Sequence, residues 1–557
     1  MGLIGVLVGG EQLMRKWIPI VILASGQFVM TLDSSVMNVS ITQISADLDT
    51  SIQGIQAAIT LYTLVMAALM LAGAKLGDIH GRNRIFAIGL AVYGVGSLAT
   101  ALSPSLPVLL VGWSGIEGLG AVMVIPAIAA LTAANYEGRD RALAYALIGG
   151  ITAIAVAAGP LIGGWVTTNL SWRWVFAGET VVVIGILLVR GQIRQAPRAE
   201  KRPKMDLVGA ALSASGLGLI VFGILMSSKW GFVEPIGALT ISGTEITPLG
   251  FSVVPFLILA GLGVLGGFVS WEQRQHRLGR DRLVDPTLLR IKQLRAGLTT
   301  LLGQQLVLMG IFFVIPVYLQ TVVGFDAFET GKRLLPLSAA MLIFALAGPK
   351  IAGRRSPRTV AQMGLVAISI GATVMLATLD VSLNDTGFKT ALILIGAGGG
   401  LLASQLGNVI MSSVDPSKSS ETGGLQGTAL NLGSSIGTAL IGAILIINLI
   451  SGFNANVADN PAVPPSAKET IAANTEAGID IVPVAQVEER ALKAGLTEAQ
   501  ATAVADDYGD AQLDALRISL GAVAAAALIS LWFTRGLPRS SVAPAASQES
   551  ARAAASS

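Results

Sequence analysis

Gly73-Ala74-Lys75-Leu76-Gly77-Asp78-Ile79-His80-Gly81-Arg82-Asn83-Arg84 is a charged, glycine-punctuated corner between two long apolar runs. About 20 apolar residues cross a bilayer as a helix. Two such runs joined by so short a turn therefore read as a membrane hairpin with a functional corner. Its Lys and Arg place that corner on the cytoplasmic side, where membrane proteins concentrate basic residues.

Working outward, the whole chain has the composition of a membrane protein. Of its 557 residues 53% are hydrophobic and 13% charged, half the charge of an ordinary soluble domain (~25%), and the mean hydropathy is +0.70. The 65 glycines suit helices that approach closely in lipid. The absence of cysteine excludes disulfides, thiol catalysis and Cys-ligated metals. His80 and His276, the two histidines, fall in predicted loops, so no metal site is expected. The first apolar run, from about Trp17, reads as a retained span and not as a cleaved leader.

Fourteen spans are expected, near 17–39, 53–75, 84–103, 107–132, 143–167, 174–190, 207–228, 251–271, 296–320, 333–353, 360–379, 387–409, 425–450 and 516–535. Segments 190–204 and 272–295 carry six and seven Lys or Arg, which puts them, and with an even count both termini, in the cytoplasm. The predicted fold is an all-α integral membrane protein. It has a six-helix bundle (1–190), basic linkers holding two extra spans (191–295), and a second six-helix bundle (296–535) with an acidic outer loop (451–515). Residues 536–557, rich in Ser and Ala, are expected to be a disordered cytoplasmic tail. The outer loop holds 11 acidic and 3 basic residues. Its Pro-, Ala- and Asn-rich start is expected to be irregular, and Thr497-Glu498-Ala499-Gln500 resembles a capping box opening a short helix.

The corner's pattern, Gly-x(3)-Gly-Asp-x(2)-Gly-Arg-x-Arg, closely resembles the loop between spans 2 and 3 of the major facilitator superfamily of secondary transporters. Gly159-Pro160-Leu161-Ile162-Gly163-Gly164 in span 5 resembles the antiporter motif that marks exporters there. With fourteen spans, the resemblance is to the drug:proton antiporter branch. It implies two bundles around a midplane cavity and a gating loop of Gly73, Gly77, Asp78, Gly81, Arg82 and Arg84, with Asp78 latching onto the start of span 13. The resemblance covers roughly residues 17–450.

Carboxylates inside spans carry the chemical signal, because a charge in hydrocarbon is costly and usually functional. Asp33 (span 1), Glu117 (span 4) and Glu179 (span 6) are the expected proton-coupling groups, with pairing to Arg173 as the structural alternative. Asp33 lies in Leu32-Asp33-Ser34-Ser35-Val36-Met37-Asn38, similar to the family's Leu-Asp-x(4)-Asn element. In span 4 the family's Arg-x(2)-Gln-Gly-x-Gly is replaced by Ser114-Gly115-Ile116-Glu117-Gly118-Leu119-Gly120. Glu179 stands where the family has Asn. One cation lost and two acids gained suit cationic substrates or a relay of carboxylates alone. Asn38, Ser114, Gln304, Gln305, Gln405 and Asn431 are candidate cavity residues; for Gln304, Gln305, Gln405 and Asn431 in the second bundle helix-to-helix hydrogen bonding is the equal alternative.

No Walker sequence is present, so no nucleotide partner is expected, and nothing suggests nucleic acid. The expected function is proton-coupled export of amphiphilic or cationic small molecules across a bacterial cytoplasmic membrane, with membrane lipids as surroundings and no cofactor. Sodium is the alternative ion. Export of lipids or their precursors is the rival substrate class. A non-transporting sensor is the rival from another class, and it would need an added soluble domain. No nucleophile–base pair is visible, so the chain is not expected to be an enzyme.

Overall fold

The computed structural model describes residues 2–194, 204–235, 239–241, 244–352, 355–415, 418–476 and 479–539. The expected tail beyond 539, most of the basic run 195–203 and a few turn residues lie outside these. In chain order the first helices are α1 (Gly2–Val39), α2 (Ile41–Asp47), α3 (Ile52–His80) and α4 (Arg82–Ala101). Next, α5 (Leu106–Leu109) passes through a π-helical segment, Leu110–Glu117, into α6 (Gly118–Asn135). Then come α7 (Gly138–Asn169), α8 (Arg173–Val189) and α9 (Leu207–Trp230). A small antiparallel ribbon, β1 (Leu239–Ile241) with β2 (Thr244–Ile246), precedes α10 (Val254–Arg277).

The second half holds α11 (Lys292–Val317), ending in a π-helical turn Tyr318–Val322, then α12 (Ala327–Ala352), α13 (Pro357–Thr378) and α14 (Asp385–Met411). It closes with α15 (Ser419–Asp459), α16 (Pro465–Glu476), α17 (Val484–Lys493) and α18 (Glu498–Phe533). Among the described residues, fourteen helices are long and apolar enough to cross a bilayer. The ribbon aside, the architecture is helical, as helices satisfy their own backbone in lipid.

Two groups of helices meet along two seams, α3 against α15 and α7 against α12, while α9 and α10 pair with each other and α9 leans on α3 and α15. Small residues set the distances. A Cβ on Gly164 would lie 2.4 Å from the Ala327 carbonyl oxygen, and one on Gly331 would lie 2.1 Å from that of Pro160. α7 and α12 therefore touch backbone to backbone. Along the other seam Gln56 donates to the Thr438 carbonyl (2.9 Å) and Ser435 to that of Thr60 (2.8 Å).

The acidic loop differs from expectation. α15 runs unbroken to Asp459, past the span end expected at 450, so that only the proline-bearing stretch 460–464 of the loop's start is irregular before α16. The capping box at Thr497 and Gln500 forms, but it opens a 36-residue helix that becomes the last span, not a short one. Packing overrides composition here: Phe453 stacks edge-on against Tyr508 at 5.4 Å. The Tyr508 hydroxyl bridges, accepting from the Val482 amide (3.0 Å) and donating to the Asp480 carbonyl (3.0 Å). These helices cap what we call the acidic face; the turns after α3, α8 and α10 form the basic face.

A buried three-carboxylate cluster and two gates

Span 4 changes winding where its chemistry sits. The π-helical segment Leu110–Glu117 carries Trp113, Ser114 and Glu117, all buried. π-Turns are rare and concentrate at functional sites. Gly96 of α4 makes room for it, since a Cβ there would lie 2.4 Å from the Glu117 amide nitrogen. The wound-out segment thus presses directly on α4.

Asp33 from α1, Glu117 from this segment and Glu179 from α8 converge, with one oxygen of each within 4.8 Å of the others. All three are buried. The Trp113 Nε1–H donates to both Asp33 oxygens at 2.9 Å, and its ring stacks on Tyr62 with centroids 4.6 Å apart. Tyr93 (3.3 Å) and Ser97 (3.1 Å) donate to Glu179 Oε2. Among the described residues, both Glu117 oxygens and Glu179 Oε1 are buried without a hydrogen-bond partner. At 4.8 Å and an effective dielectric near 20, each pair of full charges repels by about 3.5 kcal/mol. Three anions cannot share this space uncompensated; the cluster must take up positive charge, as a proton or another cation.

Among the described residues none of these acids pairs with Arg173. Arg173 instead pairs with Asp47 (3.3 Å), stacks over Trp172 and donates to the Ser103 carbonyl (3.0 Å).

Most of the candidate cavity residues make helix contacts. Ser114 donates to the Ala58 carbonyl of α3 (2.8 Å), Asn38 to Ser34 within α1 (2.8 Å), and Asn431 to Gly427 within α15 (2.9 Å). Gln405 is buried and donates to Ser404 (3.0 Å). Gln304 is buried with an unpartnered oxygen, and half-buried Gln305 packs on Gly433.

The antiporter-motif residues are contacts between helices. Gly159 meets Ser35 and Gly163 meets Val36, both on α1, while Gly164 and Pro160 meet α12. A few residues away, Phe328 N–H donates to Thr168 (3.1 Å) and Gln320 donates to the Val39 carbonyl (2.8 Å). Thr42 also bonds Gln320. The acidic face is closed in this state. A Cβ on Gly149 or Gly150, further toward the basic end of α7, would meet nothing within 4 Å among the described residues.

At the basic face, Gly81 takes φ +97° to turn α3 into α4, a conformation glycine adopts without penalty. Gly73 packs onto the Val122 carbonyl of α6. Asp78 pairs with Arg82 (3.1 Å), and Arg84 is exposed. The end of α3 does lie beside the start of α15, with Gly424 on Leu71 and Gly427 on Met70. The side chains displayed there were not anticipated. Asp285 accepts from Arg282 (2.9 Å), Lys418 (3.1 Å) and Thr287 (2.7 Å), and its own amide donates to Glu421 (3.1 Å). Burial opposes its charge, but the hydrogen bonds from Thr287, Arg282 and Lys418 prevail and hold its carboxyl well below the usual range.

Sequence reasoning missed Trp113, Tyr93, Ser97 and Tyr62 as partners of the acids. The available signal was spacing: Trp113 precedes Glu117 by four residues and Tyr93 precedes Ser97 by four, the spacing that stacks side chains on one helix face.

Comparison with known proteins places the chain in a family. The chain is 28% identical over 467 residues to a probable actinorhodin transporter of Streptomyces coelicolor, covering 82% of this chain and 77% of that protein. It is 28% identical to the puromycin resistance protein pur8 of Streptomyces alboniger (77% and 82% covered). It is also 26% identical to the multidrug resistance protein Stp of Mycobacterium tuberculosis (75% and 74%). Among solved structures, a bacterial homolog of the human lysosomal transporter Spinster, inward-facing and unoccupied, superposes with a TM-score of 0.59 at 15% identity, covering 94% of this chain and 98% of that one. That identity speaks for the fold alone. The profile of the Major Facilitator Superfamily matches residues 23–438, and this multi-pass membrane chain is a transporter belonging to that superfamily.

Proposed function

We propose that the chain exports amphiphilic or cationic small molecules in exchange for protons across a bacterial cytoplasmic membrane, with the basic face and both termini in the cytoplasm. The observation that carries this reading is the three-carboxylate cluster, which must hold positive charge and sits inside the first bundle. The relatives' names point to antibiotic and multidrug export, and the basic turns support the orientation.

The exchange follows from competition. A proton entering from the acidic side neutralises one carboxylate. A substrate cation arriving from the cytoplasm is held by the same carboxylates and competes with the proton for the one that the proton neutralises. Alternation between a state closed at the α7–α12 seam and one open there then couples the two movements, as rocking of one bundle against the other does in transporters of this design. Trp113, Tyr93 and Ser97 orient Asp33 and Glu179 for this exchange.

The test is uphill efflux of a fluorescent lipophilic cation from cells expressing the chain, with and without a protonophore. Wild-type efflux should collapse with the gradient. Asp33→Asn, a near-isostere that keeps an acceptor for Trp113, should be expressed and folded yet unable to export uphill. Uphill export by that variant, or efflux indifferent to the protonophore, would refute the reading.

A further inference from the structure

The two extra spans reach the seam between the bundles through the connection that follows them. α10 packs on α9, and α9 leans on α3 of the first bundle and on α15 of the second. The pair is tied at its basic end: Trp271 of α10 donates to Asp206 (2.9 Å), and Asp206 caps α9 through the Gly209 amide (2.8 Å). In the connection to α11, residues 278–291, Leu283, Val284 and Asp285 are buried.

Two carboxylates fix that course. Glu272, buried near the end of α10, accepts from the amides of Leu283 (3.4 Å) and Val284 (3.1 Å). Asp285 reaches α15, accepting from Lys418 (3.1 Å) while its own amide donates to Glu421 (3.1 Å). Between these anchors, Leu283 and Val284 form one buried apolar cluster with Leu71 of α3. Ala210 of α9, Phe268 of α10 and Leu425 of α15 pack around it. Leu71 also stands against Gly424 of α15, at the basic end of the α3–α15 seam. The two sides of the cluster are held differently. Among the described residues, hydrogen bonds tie this stretch to α10 and α15, whereas α3 meets it through the apolar Leu71.

We infer that residues 283–285 are a strap on the basic gate: the inserted pair travels with α15 and holds α3 against it through Leu283 and Val284, and α3 leaves this seat whenever the basic face opens. The chemistry of the two sides fits that division. Parting an apolar contact strands no hydrogen-bonding group, so it can be broken and remade in every cycle. A buried donor or acceptor that loses its partner pays its full desolvation cost, which suits the side that stays together. The strap concerns the gate and not the ion or the substrate, so it stands independently of the export reading.

The test uses the full chain in phosphatidylcholine nanodiscs. Spin labels go on His80→Cys, at the exposed end of α3, and on Ser412→Cys, exposed just past α14 at the basic face. Leu283→Ala/Val284→Ala shrinks the seat and should raise the ratio of long to short distances about tenfold. Lys418→Met loosens the loop from α15 and leaves the apolar cluster intact. It should shift the distances the same way, and it decides the matter where the double variant is too unstable to measure. Arg280→Ala, exposed in the same connection, should match wild type. A lower melting temperature with unchanged basic-face distances would make Leu283 and Val284 ordinary packing and overturn the strap. Unchanged or shorter distances in Lys418→Met, or equal lengthening in Arg280→Ala, would overturn it too.

Discussion

Gly164→Ala isolates the closure of the acidic face from the stability of either bundle. The added Cβ would sit 2.4 Å from the Ala327 carbonyl oxygen and 2.9 Å from Phe328 Cα, where ordinary contact begins at 3.4 Å. These neighbours are backbone and cannot swing aside, so α7 and α12 must part by about the 1 Å difference between 2.4 and 3.4 Å. Overpacking of this kind costs about 1–3 kcal/mol. The helix-propensity gain of Ala over Gly is the same in both conformations and cancels. The penalty falls only on the state in which this seam is shut, and at about 1.4 kcal/mol per tenfold it changes the population ratio by roughly 5- to 150-fold. The chain contains no cysteine, so Leu170→Cys and Val381→Cys, both exposed positions beside the acidic face, can be spin-labelled directly. Pulsed-EPR distances between them should lengthen in Gly164→Ala. Gly149→Ala on the same helix, with nothing near its Cβ, should match wild type. An unchanged distribution in Gly164→Ala would refute the seam as the acidic gate.

Two further outcomes separate residues that the sequence alone treats alike. Gly73→Ala should lower the melting temperature, because its Cβ would lie 2.2 Å from the Val122 carbonyl oxygen; Gly77→Ala, whose nearest neighbour is Arg82 Cγ at 3.7 Å, should be neutral or stabilising by up to ~1 kcal/mol. Equal melting of the two variants would contradict this packing. Asp285→Asn should cost about 2 kcal/mol, taking charge-assisted hydrogen bonds at ~1.5–3 kcal/mol and discounting the part-exposed Lys418. Since the folded carboxyl is held below its unfolded value near 4, that stabilisation is present in full above about pH 4. It is lost as pH falls through the depressed value, so wild type and variant should differ constantly from neutral pH down to about 4 and converge only in stronger acid. Convergence near neutrality would show that Asp285 is not charged in the folded protein.

Much of the fold is legible from apolar run length and turn chemistry, because a bilayer forces both. The three acids are legible one by one, since an intramembrane carboxylate is conspicuous against 53% hydrophobic residues. Their convergence is not. Helical rise counted along each span puts Asp33 and Glu179 towards the outer side and Glu117 near the midplane. In the structure one oxygen of each lies within 4.8 Å of the others, Glu117 reaching in from the π-helical segment Leu110–Glu117. That segment packs on α4 at Gly96, a tertiary contact invisible to local pattern. The same holds for Ser114, whose hydrogen bond to the Ala58 carbonyl of α3 no local pattern shows. Asp285 went unremarked because it sits in a polar loop where carboxylates are ordinary. Its partner Lys418 is 133 residues away.

The central claim is that one buried cluster exchanges substrate cation for proton. It is tested most directly by adding tetraphenylphosphonium to purified protein in weakly buffered solution and recording released protons. Wild type should acidify the medium on binding, and Asp33→Asn/Glu117→Gln/Glu179→Gln should release nothing. Cation binding by wild type without proton release at any pH where it transports, or undiminished release by the triple variant, would contradict it.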